Sequence, residues 1–216
     1  MTGGWHDAGD YSVYNMTTVS SLFWLLESHR DFVAADDATN IPESGNGVPD
    51  LLDEARWGLQ WLLTVQVPDG GFRNSSCLVS YAPYGRNPVD VGPPYVHGEV
   101  GTIPTARAVG ILAAAAVVFR DVDAPFAKRL HEAAMRGWRW LAARPAEHSD
   151  GPTCGAYRQD GEAAAGRAAR MFAAAGLLAA TGERRFHDAF EQAFVEIDDE
   201  PSPYRFSAYA CLLYRR

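Results

Sequence analysis

The protein is a chain of 216 residues with a formal net charge of -8, and 47% of its residues are hydrophobic. A chain of this length and apolar content can bury a core, which excludes the disordered class, whose members are poorer in apolar residues. The 27 acidic residues outnumber the 19 basic ones, and no run of Lys and Arg is longer than two residues. Binders of nucleic acid and of anionic membranes need clustered basic charge, so the composition argues against both partners.

Cysteine and membrane signals are weak. Cys77, Cys154 and Cys211 are widely separated and include no CxxC pair. This favours free thiols, with one bridge as the alternative, and indicates neither a disulfide framework nor a four-ligand zinc site. The longest weakly polar run, 103–119, is too short and too polar to span a bilayer. Met1 is followed directly by Thr-Gly-Gly-Trp, so the chain as given carries no signal peptide.

Helical periodicity covers most of the chain. Helices are predicted over about 16–34, from Pro49 to about 63, and over 104–119, 125–143, 161–180, 183–195 and 203–214, the last behind Ser202 as its N-cap. The second helix has the clearest start, because proline suits the first helical position and Asp50, Asp53 and Glu54 complement the positive end of the helix dipole. Seven helices without a convincing sheet indicate an all-α fold in one continuous domain.

The segment 67–100 has no helical period and is rich in glycine, proline and tyrosine. Irregular stretches longer than about 15 residues are unusual in compact domains and are commonly functional. Short strands within 72–81 fit the pattern. Four side chains of the segment can stack on or hydrogen-bond to a sugar: Tyr81, Tyr84, Tyr95 and His97. Packing of the same side chains against the domain is the alternative interpretation.

The densest group of reactive side chains is the segment 4–11, GWHDAGDY. Asp7 and Asp10 are three positions apart, with only Ala and Gly between them, so both carboxylates can point into one small volume just before a helix. Two close carboxylates resist ionising together, and such a pair can hold and deprotonate one water molecule. Trp5, Tyr11 and Tyr14 put apolar faces beside the pair, as a sugar-binding site requires.

A purely structural interpretation of this segment stays open. In it, Asp10 forms an Asx-turn and caps the first helix, while Trp5 lies in the core. A calcium loop is not indicated, because the ligand spacing of an EF-hand does not follow.

The segment 3–11, GGWHDAGDY, closely resembles the sequence around the catalytic aspartates of glycoside hydrolase family 9, the endoglucanase and cellulase family. The segment 46–59, NGVPDLLDEARWGL, is similar to the second signature of that family. The segments 65–72 and 174–184 resemble later parts of the family sequence, in the same order. The resemblance spans the whole chain and is strongest over about 1–72.

This resemblance implies an (α/α)6 barrel, in which helices alternate between two concentric layers. It implies inverting hydrolysis of β-1,4-glucosidic bonds in cellulose or cello-oligosaccharides, without a covalent intermediate. By position, Asp10 matches the general base of the family and Asp7 its partner on the nucleophilic water. Trp5, His6 and Tyr11 would then shape the sugar subsite around that water.

The resemblance also bears on cofactors, partners and location. It implies that catalysis needs no cofactor; a structural calcium ion is compatible with it, but no metal ligand is assigned. The implied partner is a β-glucan or an oligosaccharide, and the oligomeric state stays open. The parent protein is expected to be secreted, with a cytoplasmic location as the alternative because the chain shows no signal peptide.

The size of the chain is small for this barrel. Seven helices in 216 residues take roughly 31 residues each, so twelve helices need about 370 residues. The resemblance therefore implies that 1–216 is one partial (α/α)6 catalytic domain of about seven helices, without the N-terminal helix and the C-terminal part.

The general acid is not identified. An inverting enzyme needs a second carboxyl group about 6.5–9.5 Å from the base. In the family this group is a Glu near the end of the catalytic domain, and no segment here matches it. Glu196 and Glu200 are better explained as part of an exposed acidic turn.

Two alternatives to a cellulase follow. Without the general acid, the chain can be a non-catalytic or inactive glucan-binding remnant. The substrate can also be of the chitosan or chitobiose type, because the water-activating motif does not discriminate between substituents at the 2-position of the sugar.

Overall fold

The computed structural model describes residues 3–31, 37–78, 85–87, 90, 95–145, 163–195 and 206–215. Within these ranges the chain forms seven α-helices joined by short strands and turns. The helices are α1 (Asn15–Asp31), α2 (Asp50–Thr64), α3 (Thr102–Val118), α4 (Ala124–Ala142), α5 (Ala163–Thr181), α6 (Arg184–Val195) and α7 (Phe206–Tyr214). The strands are β1 (Val13–Tyr14), β2 (Phe72–Arg73), β3 (Ser75–Leu78), β4 (Tyr95–His97) and β5 (Val100–Gly101).

All seven predicted helices are present, and their described ends agree with the periodicity to within a few residues. Pro49 differs slightly from its prediction, because it occupies the cap position just before α2 rather than the first helical position. Two predicted features lie outside the described residues: the N-cap at Ser202 and the acidic turn with Glu196 and Glu200.

The helices form two layers. α1, α3, α5 and α7 pack in series, each against the next, and α2, α4 and α6 cover α1, α3 and α5 respectively. α3 lies at the centre, and its residues 102–116 are all buried. A helix that is apolar on every side needs this position, because any exposed face would leave apolar surface in water. The alternation between layers is the arrangement expected for part of an (α/α)6 barrel.

α3 and α5 cross with their backbones close together. A Cβ atom added to Gly176 would lie 2.3 Å from the carbonyl oxygen of Gly110. Backbones can approach this closely only where neither residue has a side chain at the contact. Two glycines inside otherwise Ala-rich helices therefore set the distance between these inner helices.

The prediction of no convincing sheet is wrong, since two small antiparallel sheets are present. β3 lies between β1 and β4, with Ser76 opposite Val13 on one side and His97 on the other. β2 pairs with β5, and the short strands expected within 72–81 are thereby confirmed. Strands of two to four residues are too short to show a period-2 pattern, which is why the sequence did not reveal the sheets.

The prediction of free thiols is wrong for Cys77 and right for Cys211. Cys77, on β3, is disulfide-bonded, whereas Cys211 is free. The partner of Cys77 lies outside the described residues. Spacing along the chain carries no information on which cysteines meet in space, so the sequence could not decide this point. Among the described helices, none combines the length and apolar character that crossing a membrane requires.

Candidate active site

The segment 4–11 forms a loop that leads into β1. The backbone N–H of Asp7 donates to the carbonyl oxygen of Ser12 at 2.8 Å, and the N–H of Tyr11 donates to that of Ala8 at 3.1 Å. Tyr11 has a φ of 57°, in the left-handed region that bulky residues seldom adopt. Backbone strain of this kind concentrates at functional sites.

Two donors hold the half-buried carboxylate of Asp10. The backbone N–H of Ser12 donates to Oδ1 at 3.0 Å, and the hydroxyl of Tyr14 donates to Oδ2 at 3.2 Å. The contact with Ser12 is the Asx-turn of the structural interpretation. Asp10 does not cap α1, however, because that helix begins at Asn15 and the donors on Asp10 precede its first turn.

The negative charges of Asp7 and Asp10 both affect the pKa of one phenol, that of Tyr14. Burial raises the pKa of Tyr14 above its usual 10.0, and the negative charges of Asp10 and Asp7 raise it further. Of the two carboxylates, Asp10 contacts the Tyr14 hydroxyl directly, at 3.2 Å. Asp7 is exposed to solvent, whereas Asp10 is half-buried and held by protein donors.

Trp5 fastens the loop to α2. Its indole nitrogen donates to Oε1 of Glu54 at 2.6 Å, and its ring occupies the space above Gly58, where an added Cβ would lie 2.5 Å from it. A second tryptophan completes the attachment, since Trp57 donates to the carbonyl oxygen of Gly4 at 2.8 Å. Much of Trp5 therefore has a structural role, and the structure does not bring its polar edge to the aspartates.

His6 and Tyr11 lie together beside the aspartate pair. Their ring centroids are 5.2 Å apart, and His6 is exposed. The Tyr11 hydroxyl donates to the carbonyl oxygen of Arg86, which ties the loop to the segment 85–87. His6 precedes Asp7 and Tyr11 follows Asp10 along the loop, so the two rings flank the aspartates in sequence and lie close together.

The sheet brings further polar groups to the loop. Ser76 accepts a hydrogen bond from Nε1 of Trp61 at 3.2 Å and lies 2.8 Å from Nδ1 of His97. Partial burial lowers the pKa of His97 below 6.5, and the positive charge of Arg73 lowers it further. Burial raises the pKa of Tyr95, and the electrostatic effect of Tyr11 raises it further.

Two of the four candidate sugar-binding side chains in the long segment thus lie near the aspartate loop. They are Tyr95 and His97, whereas Tyr81 and Tyr84 fall outside the described residues. The role of Tyr14 as a donor to Asp10 was missed, because the sequence indicated only an apolar face there. The spacing of four residues between Asp10 and Tyr14 was the available signal.

Structural calcium is a prediction that the sequence left open. Among the described residues, no three His, Cys, Asp or Glu side chains converge where they could hold a metal. Near the start of α2, three protein donors converge on Oδ2 of Asp50, whereas Oδ1 of the same buried carboxylate has no hydrogen-bond partner in the described part of the chain. Asp50 accepts from the N–H and the hydroxyl of Thr39, both at 2.6 Å, and from the Ser44 hydroxyl at 2.8 Å. Structural calcium therefore stays a prediction.

Known proteins share this sequence and architecture. The chain is 33% identical to endoglucanase D of Acetivibrio thermocellus over 201 residues, which cover 88% of this chain and 31% of that protein. A metagenome-derived glycoside hydrolase family 9 endoglucanase superposes with a TM-score of 0.81 at 35% identity, over 98% of this chain and 39% of that one. AaCel9A in complex with cellobiose-like isofagomine gives a TM-score of 0.82 at 26% identity, over 98% and 41%.

The chain therefore spans about a third to two fifths of the length of these relatives. The solved relatives are (α/α)6 barrel enzymes, which confirms the predicted all-α fold as part of such a barrel. The family model described as Glycosyl hydrolase family 9 matches residues 1–210. The chain belongs to glycosyl hydrolase family 9.

Proposed function

We propose that this chain activates the water molecule for hydrolysis of β-1,4-glucosidic bonds in a glucan. The observation that carries the proposal is the carboxylate of Asp10, which Ser12 and Tyr14 hold three residues from the exposed Asp7, on a loop that α2 fastens through Trp5. Family membership supports the reaction class. A relative named as an endoglucanase and a solved relative with a cellobiose-like ligand support a glucan as the substrate.

Asp10 is the base in this proposal. Each carboxylate oxygen has two lone pairs, and one on each oxygen of Asp10 is taken by Ser12 or Tyr14. The remaining lone pairs accept the protons of a water molecule, and Asp7 orients that water from the exposed side. As the water oxygen attacks the anomeric carbon, Asp10 takes one proton and the glycosidic bond breaks on the opposite face.

In this proposal, attack of water on the face opposite the leaving oxygen inverts the configuration at the anomeric carbon. The leaving oxygen needs a proton from a general acid about 6.5–9.5 Å from the base, so that water and sugar fit between them. His6 and Tyr11 form the rim of the subsite.

The disulfide at Cys77 agrees with a secreted parent protein. Disulfides persist in oxidising compartments and are rare in the bacterial cytoplasm. This supports an extracellular glucan as the substrate.

Hydrolysis of soluble β-glucan by this chain tests the function. Reducing ends should appear, and proton NMR of a cello-oligosaccharide digest should show the α-anomer first, as inversion of a β-linkage demands. Asp10→Asn should lower the rate by about 10²–10⁴-fold because the base is lost. Asp121→Asn, an exposed change after α3, is the matched control and should leave the rate unchanged. An unchanged rate for Asp10→Asn would refute the assignment of the base.

Glucan binding without turnover is the second candidate. Among the described residues, Asp7 and Asp10 are the carboxylates that raise the pKa of Tyr14, and no general acid is identified beside them. Without a general acid, a bound glucan would not be cleaved. Calorimetric titration with cello-oligosaccharides that gives heat of binding but no product would favour this candidate. Reducing-end release and calorimetric titration with chitosan oligosaccharides test the alternative sugar. If the chain prefers chitosan to glucan in these assays, chitosan replaces glucan as the proposed substrate.

A further inference from the structure

Tyr14 is, among the described residues, the side chain that contacts the carboxylate of Asp10. The other contact on Asp10 comes from the main chain at Ser12. We propose that Tyr14 is a positioning residue, whose hydroxyl fixes the plane of the Asp10 carboxylate relative to the attacking water. This inference rests on the proposed function, in which Asp10 is the base.

The geometry explains why a second donor is needed. A carboxylate rotates readily about its Cβ–Cγ bond, because that torsion has broad wells. A single bond from Ser12 to Oδ1 leaves that rotation free, whereas a second bond from Tyr14 to Oδ2 holds both oxygens. The lone pairs left for the water then point in defined directions, which is the alignment that base catalysis depends on.

Tyr14 is itself rigidly held. It lies on β1 opposite Ser75 of β3, and the N–H of the next residue, Asn15, donates to the carbonyl oxygen of Asn74 at 2.7 Å. Thr17, in the first turn of α1, donates to the Tyr14 carbonyl oxygen at 3.3 Å. The strand that carries the donor therefore joins the sheet to an inner helix. Functional groups are most accurately placed when they are supported in this way.

A neutral phenol suits this task better than a cation. Burial and the charges of Asp10 and Asp7 raise the pKa of Tyr14, so it remains a protonated donor at neutral pH. A lysine or arginine at the same place would orient the carboxylate too, but its positive charge would favour the ionised form and weaken the base. Tyr14 orients Asp10 without that loss.

The first test is independent of turnover. In the protein labelled with ¹³C at the tyrosine Cζ, the Tyr14 signal is assigned with Tyr14→Phe and followed as pH rises. Asp10→Asn should lower the titration midpoint of Tyr14, because a negative charge next to the phenol is removed. Tyr95 is the internal control, since its pKa is raised by burial and Tyr11 instead. An unchanged Tyr14 midpoint would overturn the proposal.

The second test measures hydrolysis. Tyr14→Phe should lower kcat about tenfold, part of the ~10²–10⁴ supplied by a base, with KM unchanged, a kinetic profile that a merely structural change would not produce. Tyr214→Phe is the matched control, because it removes a phenol that bonds to another carboxylate, Glu191, at 3.0 Å. Its profile should equal that of the wild type. A Tyr14→Phe protein that loses thermal stability but keeps the wild-type profile would show a structural role and overturn the proposal.

The two tests distinguish failure of the proposed function from failure of the proposed role of Tyr14. Absence of hydrolysis in the wild-type chain would contradict the proposed function. The titration of Tyr14 in the Asp10→Asn protein would then decide the link between these residues by itself.

Discussion

The indole nitrogen of Trp5 donates to the carboxylate of Glu54 at 2.6 Å, and this bond joins the aspartate loop to the first turns of α2. The two residues belong to the two most distinctive motifs of the chain, which are 49 positions apart at this contact. The ring of Trp5 also fills the space over Gly58, where a side chain would collide with it. The second motif thus supports the first, and the position of Asp10 depends on the packing of α2.

Replacement of Glu54 tests this support. Glu54→Leu leaves the half-buried indole N–H without its acceptor, so the free energy of unfolding should fall by about 1–2 kcal/mol and cello-oligosaccharide binding should weaken. Urea denaturation and calorimetric titration measure the two effects. Glu54→Gln keeps an acceptor oxygen, so its free energy of unfolding and its affinity for cello-oligosaccharides should fall much less. Equal losses in the two variants would show that the hydrogen bond is not what matters.

The crossing of α3 and α5 should not tolerate a methyl group. Gly176→Ala places a Cβ 2.3 Å from the Gly110 carbonyl oxygen, and backbone at that distance has to move. The free energy of unfolding should fall by about 1–3 kcal/mol, although alanine normally stabilises a helix relative to glycine. Gly182→Asn is the control, because asparagine tolerates the φ of 69° there and meets no atom within 4 Å. A Gly176→Ala protein as stable as the wild type would contradict this contact.

The start of α4 depends on Asp123. Its Oδ1 accepts from the N–H of Phe126 at 3.0 Å, and its Oδ2 accepts from Arg56 at 2.8 Å. Asp123→Ala should cost about 0.5–2 kcal/mol of unfolding free energy through the lost cap. Thermal denaturation followed by circular dichroism measures it. The neighbouring Asp121→Ala should be neutral, because that side chain is exposed, and equal effects at both positions would rule out the cap.

Acid should destabilise the protein partly through Asp50. Hydrogen bonds from Thr39, and then from Ser44, lower the pKa of this buried carboxyl below its usual 3.8. The folded state then binds the proton less readily than the unfolded state, so this contribution is complete above pH 3.8 and is lost as the pH falls below it. Urea midpoints measured between about pH 5 and 2 should fall less steeply for Asp50→Asn than for the wild type. Parallel curves would contradict the prediction.

Thiol counting tests the disulfide. The chain has 3 cysteines, and Cys77 is bonded while Cys211 is free. Denatured protein without reductant should therefore react with one equivalent of Ellman's reagent, and reduced protein with three. Three equivalents before reduction would show that the bridge does not form.

The sequence by itself determined the helices and pointed to the reactive loop. Helical periodicity is a local property, so the apolar residues of α3 and the start of α2 near Pro49 were visible without knowledge of their partners. The aspartate pair was equally visible, because Asp7 and Asp10 are neighbours along the chain. Their family resemblance, confirmed by the match over 1–210, named the barrel to which the helices belong.

Only the tertiary structure decided which groups support that loop. Trp57 and Trp61 follow one another by a single helical turn, yet one is 45% exposed and the other fully buried, because only Trp61 faces the sheet and the core. The contacts of Trp5 with Glu54 and of Gly110 with Gly176 join residues distant in sequence. Neither helical nor strand periodicity encodes such pairs, since they arise when separate elements pack. The hydrogen bond from Tyr14 to Asp10 likewise forms because β1 pairs with β3, and strands of that length leave no pattern in the sequence.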